Sequence, residues 1–146
     1  MAANKQPIYT LSPDIQWGAA DGNGGSAGPL KTANTAKDGT GTVLTVFTAD
    51  ATNGGFVNKI RFRSAGTNIA SVGRVFINNG STNATIANNA LVDEVTLSAT
   101  TLSEVAAVAM YELPLNFALP AGYKINVTLG TTVAAGYVVS VIGGKY

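Results

Sequence analysis

Tyr123-Lys124-Ile125-Asn126-Val127-Thr128-Leu129, residues 123–129, puts an apolar side chain at every second position and a polar one at each position between. Strand side chains alternate between faces, so this segment reads as a strand with one dry side. Just upstream, Tyr111, Leu113, Leu115, Phe117 and Leu119 share one face and Met110, Glu112, Pro114, Asn116 and Ala118 the other. This is a second strand of the same kind. Pro114 has no N–H to give to a ladder, which predicts a sheet edge or a local irregularity there. Leu119-Pro120-Ala121-Gly122 between the two has the chemistry of a tight turn, so the pair reads as a hairpin.

Downstream, Tyr137-Val138-Val139-Ser140-Val141-Ile142 is apolar on both faces, which predicts a central strand covered on each side. Upstream, the same pattern predicts strands over 42–48, 55–64, 70–78 and 91–98, and shorter ones over 6–11 and 15–18. Asp38-Gly39, Asn53-Gly54-Gly55 and Asn79-Gly80 punctuate them. About eight short strands with regular turns predict an all-β fold, a single antiparallel β-sandwich or barrel. The one helical competitor is residues 100–111, where Ser103-Glu104 could open a turn.

The 146-residue length fits one domain: 1–20 an N-terminal arm with the first short strands, 21–146 the sandwich. Residues 19–41, rich in glycine and without periodicity, read as a flexible loop or interaction arm, or as a plain connector. The N-terminus lacks a signal-peptide pattern, and no apolar run is long enough for a membrane helix.

Charged residues make up 12% of the chain, where about 25% is usual, which suggests a surface covered by something else. The net charge of +1 gives no general attraction to nucleic acid or anionic membranes. Cysteine and histidine are both absent. That removes disulfides, thiolate nucleophiles, the commonest general base and the usual zinc ligands. No serine has a lysine three residues on, the glycine pairs match no nucleotide loop, and the loop starting at Asp21 has Thr32 where calcium binding wants a glutamate. Asp93-Glu94 are neighbours on a strand and point to opposite faces. We therefore expect no enzyme activity and no cofactor.

Lys59, Arg61 and Arg63 recur at every second position of one predicted strand and so share a face, with Arg74 from the next strand a candidate to join them. No acid occurs between Asp50 and Asp93 to neutralise them locally. The stripe suits an acidic protein surface, or else is simply a solvated strand face. No aromatic residues interleave with it, which argues against nucleic acid. Tyr9 and Trp17 are aromatic anchor candidates for a neighbouring subunit. With Tyr137 they are also candidates for stacking on glycans, although a core tryptophan is the plainer reading.

The segments "DGTGTVLTVFTADATNGGFVNKIRF", "GTNIASVGRVFINNGSTNAT" and "TTLSEVAAVAMYELPLNFALPAGYKINVTLGTTVAAGYVVSVIGGKY" resemble small virion proteins of tailed bacteriophages. The resemblance covers residues 35–146. Its most specific pieces are Arg74-Val75-Phe76-Ile77-Asn78, Leu119-Pro120-Ala121-Gly122-Tyr123 and Gly143-Gly144, with Lys145 where members more often carry an aspartate. What the resemblance implies is a jelly-roll β-sandwich serving as a capsid decoration or cement protein on the virion surface, made in the host cytoplasm. The implied partners are the major capsid protein and further copies of the chain in a homotrimer, with neither nucleic acid nor membrane. The alternative is a head-fibre or tail-associated module that recognises host glycans.

Overall fold

A computed structural model of the chain describes residues 12–17 and 28–146. Eight strands carry the fold: β1 Ser12–Trp17, β2 Leu44–Thr48, β3 Gly55–Ser64, β4 Ser71–Asn78, β5 Asn89–Leu97, β6 Met110–Leu119, β7 Lys124–Leu129 and β8 Tyr137–Lys145. They form two four-stranded antiparallel sheets, ordered β1-β8-β3-β6 and β2-β7-β4-β5. We call the first sheet A and the second sheet B. Pairing β1 with β8, β2 with β7, β3 with β6 and β4 with β5 makes one long hairpin bent at the β4–β5 connection. Rolling that hairpin brings β8 beside β3 and β7 beside β4. This is the strand order of an eight-stranded jelly roll.

The alternation read from the sequence sets the core. Val57, Ile60, Phe62, Val139 and Val141 point inward from sheet A, and Phe47, Val75, Ile125, Val127 and Leu129 meet them from sheet B, all fully or almost fully buried. β6 lies at the edge of sheet A, as Pro114 requires. Beside it the register slips between Val57 and Lys59, and Asn116 takes a left-handed φ of 49°. Both readings of Pro114, edge and irregularity, hold together.

Several expectations are corrected. β6 and β7 are not a hairpin, because they lie in different sheets. The turn exists, with Gly122 at φ 73° and the Tyr123 N–H donating to the Pro120 carbonyl at 3.2 Å. Asp50 and Ala49 then draw it to the other sheet: the Gly122 N–H donates to the Asp50 carbonyl at 3.0 Å and the Ala49 N–H to the Tyr123 carbonyl at 2.9 Å. Residues 100–111 form no helix. Thr100 is buried and bridged to Asn68, residues 101–107 are an exposed loop, and β6 begins at Met110. The outer face of β8 is only partly covered by the described residues, since Val138 is 39% exposed while Ser140 and Ile142 are half-buried. The expected strand at 6–11 and the calcium-like loop opening at Asp21 lie outside the described residues.

The segment 28–43, expected to form a flexible loop, interaction arm or plain connector over 28–41 and a strand over 42–43, is instead a strap bound to its own domain. Leu30 bridges to Tyr137 and Ala33 to Leu129. Asn34 Nδ2 donates to the carbonyls of Thr40 and Thr42, both at 2.7 Å, and Asn83 Nδ2 to those of Gly39 and Gly41 at 3.2 and 2.7 Å. Gly39 has φ 82°, and a Cβ there would stand 2.7 Å from Asn89 Cβ and 3.1 Å from the Phe76 ring, so only glycine lets the strap lie this close. On the outer face of sheet B, Phe76, Asn78, Asn126 and Thr128 are all buried, Phe76 at 1% exposure and outside the main core cluster.

Candidate interaction surface

Lys59, Arg61 and Arg63 project from the outer face of sheet A, because Ile60, Phe62 and Ser64 alternate with them into the interior. Pairing across the sheet arranges their neighbours in rows. Lys59 lies between Pro114 and Ile142, Arg61 between Glu112 and Ser140, and Arg63 between Met110 and Val138. In β1, Trp17 is in register with Ser140, which extends the Arg61 row by one strand. The expected stripe and the backbone position of Trp17 thus meet on one sheet.

Arg74 does not join them. The β3–β4 connection crosses the sandwich, so Arg74 is in sheet B, with its Nε donating to Glu94 Oε1 at 2.7 Å. The stripe is also not unneutralised. Glu112 accepts from Lys59 Nζ at 3.0 Å and from Arg61 Nε at 2.8 Å, and lies 2.6 Å from Arg61 Nη2. The hydrogen bonds from Lys59 and then Arg61 hold the Glu112 carboxyl below the usual carboxylate range. The acid that balances the stripe is distant in sequence and adjacent in space.

Arg63 is what remains. It is exposed and makes no ion pair among the described residues. Met110 at 44% and Val138 at 39% exposure flank it, so one cation sits between two outward apolar side chains. The sequence signalled the cations but not their apolar flank, because Met110 and Val138 each look like ordinary members of an alternating strand.

The aromatic candidates divide. Tyr9 lies outside the described residues. Tyr137 is fully buried, its hydroxyl donating to the Ser98 carbonyl at 3.5 Å, and burial raises its pKa. A tyrosine so placed offers no face to a sugar, which withdraws it from the glycan candidates. Asp93 and Glu94 form no joint acid site: Glu94 engages Arg74, and Asp93 Oδ1 accepts the Glu94 N–H at 2.8 Å. Among the described residues no group of three His, Cys, Asp or Glu side chains is placed to hold a metal ion.

Missed by the sequence reading altogether is the end of the sandwich formed by the β3–β4, β5–β6 and β7–β8 loops, where Ile69 and Leu102 are 59% exposed and Val105 is 97% exposed. The available signal was the near absence of charge from these loops: residues 65–70, 98–109 and 130–136 contain one charged side chain, Glu104. No protein-family model and no curated protein sequence matches this chain.

Proposed function

We propose that this chain is a structural virion protein of the decoration or cement type, which binds the assembled head of a tailed phage through the outer face of sheet A. The observation that carries the reading is the Met110-Arg63-Val138 row on the outer face of sheet A: a cation with no ion pair among the described residues, between two exposed apolar side chains. The jelly-roll order is an architecture that capsid proteins use, and it supports the reading by analogy only. The resemblance over residues 35–146 points the same way.

The mechanism follows from mass action. A subunit that binds neighbouring capsid proteins only in the assembled lattice shifts the equilibrium toward the intact shell. Each contact can be weak, because symmetry repeats it and linked contacts reinforce one another. Arg63 supplies charge selectivity for an acidic patch on the major capsid protein, while Met110 and Val138 supply apolar area. Lys59 and Arg61, already engaged by Glu112, contribute less.

Co-sedimentation of the purified protein with phage heads that lack it tests this reading. Arg63→Glu is expected to lower the bound fraction at least tenfold without changing the melting temperature, while Arg74→Gln leaves binding intact. Undiminished binding of the Arg63→Glu protein would remove the sheet A face from the mechanism. Failure of the unaltered protein to bind any head, together with saturable binding to glycans that Trp17→Ala abolishes, would replace it with the glycan-recognition alternative.

A further inference from the structure

Among the described residues, the connections around the sandwich are bonded into its body, with one exception. Asn68 ties the β3–β4 loop to the β7–β8 loop: its Oδ1 accepts the N–H groups of Ala135 and Gly136 at 2.8 and 2.9 Å, and its Nδ2 donates to the Gly136 carbonyl at 2.9 Å. Asn83 binds the β4–β5 connection to the strap through the Gly39 and Gly41 carbonyls, and the Asp50 carbonyl takes the Gly122 N–H from the turn after β6. The β5–β6 loop is the exception. Residues 101–107 are all exposed. Leu102 is pinned by its N–H to Thr67 Oγ1 at 3.0 Å, but over 103–107 the one hydrogen bond among the described residues is local, from the Val105 N–H to Ser103 Oγ at 3.2 Å. A protease must draw several residues into its cleft, and this loop yields them without breaking a bond to the rest of the domain.

Glutamate marks one peptide bond within it. The chain has three glutamates. Glu94 belongs to β5 and is bonded to Arg74, Glu112 belongs to β6 and is bonded to Lys59 and Arg61, and Glu104 is in the exposed loop. A ladder residue reaches a protease only after its strand opens, whereas Glu104 is presented by the closed fold.

Topology decides what a cut there does. It leaves β1–β5 in one piece and β6–β8 in the other. β6 and β8 flank β3, β8 also pairs with β1, and β7 lies between β2 and β4. The shorter piece therefore has no ladder of its own, and the longer piece keeps only β4 with β5. The core is shared in the same way, Phe47, Ile60 and Phe62 from one piece meeting Ile125, Val127 and Val139 from the other. A lone two-stranded pair is marginal in water, so neither piece is stable alone, while together they retain every ladder. In the hydrolysis, water gives its hydroxyl to the Glu104 carbonyl carbon and its proton to the Val105 nitrogen as the bond between them breaks. The new carboxylate and ammonium both stand in solvent, so no charge is buried.

We propose that the Glu104–Val105 bond is a cleavage site for a glutamate-specific endoprotease, and that the product is a folded two-piece body unable to rebuild itself once unfolded and diluted. Refolding of one chain has become association of two, which depends on concentration. The inference does not rest on shell binding and is read on the purified full-length chain.

Treatment with a glutamyl endopeptidase tests it. The native protein should be cut after Glu104 at least about tenfold faster than after Glu94 or Glu112, giving residues 1–104 and 105–146 by mass spectrometry, whereas the urea-unfolded chain should be cut at all three. The cut protein should keep the circular dichroism spectrum and elution volume of the uncut one. After unfolding in urea, its recovery should be lost on dilution to a greater extent than that of the uncut chain. Glu104→Gln should withstand the protease with an unchanged melting temperature. A native chain that is not cut after Glu104, or is cut as fast after Glu94 or Glu112, overturns the site. Separation of the pieces or loss of the spectrum on cutting overturns the survival of the fold, and equal sensitivity of the cut and uncut proteins to dilution overturns their interdependence.

Discussion

The two outer faces of this sandwich start from the same strand chemistry and end differently. Sheet B places Phe76 on its outer side and buries it to 1% exposure beneath the strap 28–43. Sheet A places Val138 on its outer side and leaves it 39% exposed. One outward apolar side chain has been made into interior by the chain's own backbone. The other has no cover among the described residues. The contrast teaches that an outward apolar residue on a strand carries no fixed meaning, because a segment remote from the sheet decides whether it is core or contact surface.

The sharpest way to break this contrast is to remove both side chains in turn. Phe76→Ala is expected to cost about 3–5 kcal/mol in urea unfolding, as for any large buried aromatic. Val138→Ala should stay within about 0.5 kcal/mol for the isolated chain. Equal costs would mean that the strap does not cover sheet B in solution. Next in size is Gly39→Ala, which forces a side chain into a left-handed backbone against Asn89 Cβ at 2.7 Å. We expect a loss of about 1–3 kcal/mol, with hydrogen exchange accelerated in residues 34–43 before any other part of the sheet.

Asn34→Ala should be milder. It deletes the two bonds to the Thr40 and Thr42 carbonyls and the one from the Ala36 N–H, at a cost of about 1–2 kcal/mol. The expected readout is again early exchange in the strap, with the melting transition shifted but still cooperative. The smallest effect belongs to the open face. The folded-state pKa of Glu112 is lowered, so its ion pairs contribute in full above the free carboxyl value of 4.5 and lose that contribution as the pH falls through the lower folded value. In an acid titration of stability, Glu112→Gln should lack this component and lie closest to the unaltered protein near the acid end. Identical slopes for the two proteins below pH 4.5 would show the pairs to be energetically silent.

Strand existence was legible because alternation is local: β3 occupies residues 55–64 as the pattern demands, and Pro114 announced an edge strand. Sheet membership was not legible. Both sheets turn their dry sides to the same core, so the alternation of β6 and β7 reads alike whether they pair or face each other. The same ambiguity misplaced Arg74, since β3 and β4 are consecutive in the chain but lie in opposite sheets. The strap was illegible for a different reason. It has no period, and its anchors are asparagine amides reaching backbone carbonyls, a pattern that any polar loop composition permits. The stripe was visible, whereas its counter-ion was not, because Glu112 is 53 residues from Lys59.

The register slips have a further consequence for growth at high concentration. Of the four strands at sheet margins, β2, β5 and β6 each carry an irregularity, between Thr45 and Phe47, opposite Val75 and Phe76, and opposite Val57 and Lys59. A fibril extends only where successive backbones present unbroken donors and acceptors on both flanks. Here the β5–β6 flank is kinked in both layers and interrupted by Pro114, so strand-by-strand stacking halts there. We expect molecules crowded at high density to remain discrete bodies rather than fuse into cross-β threads through this flank.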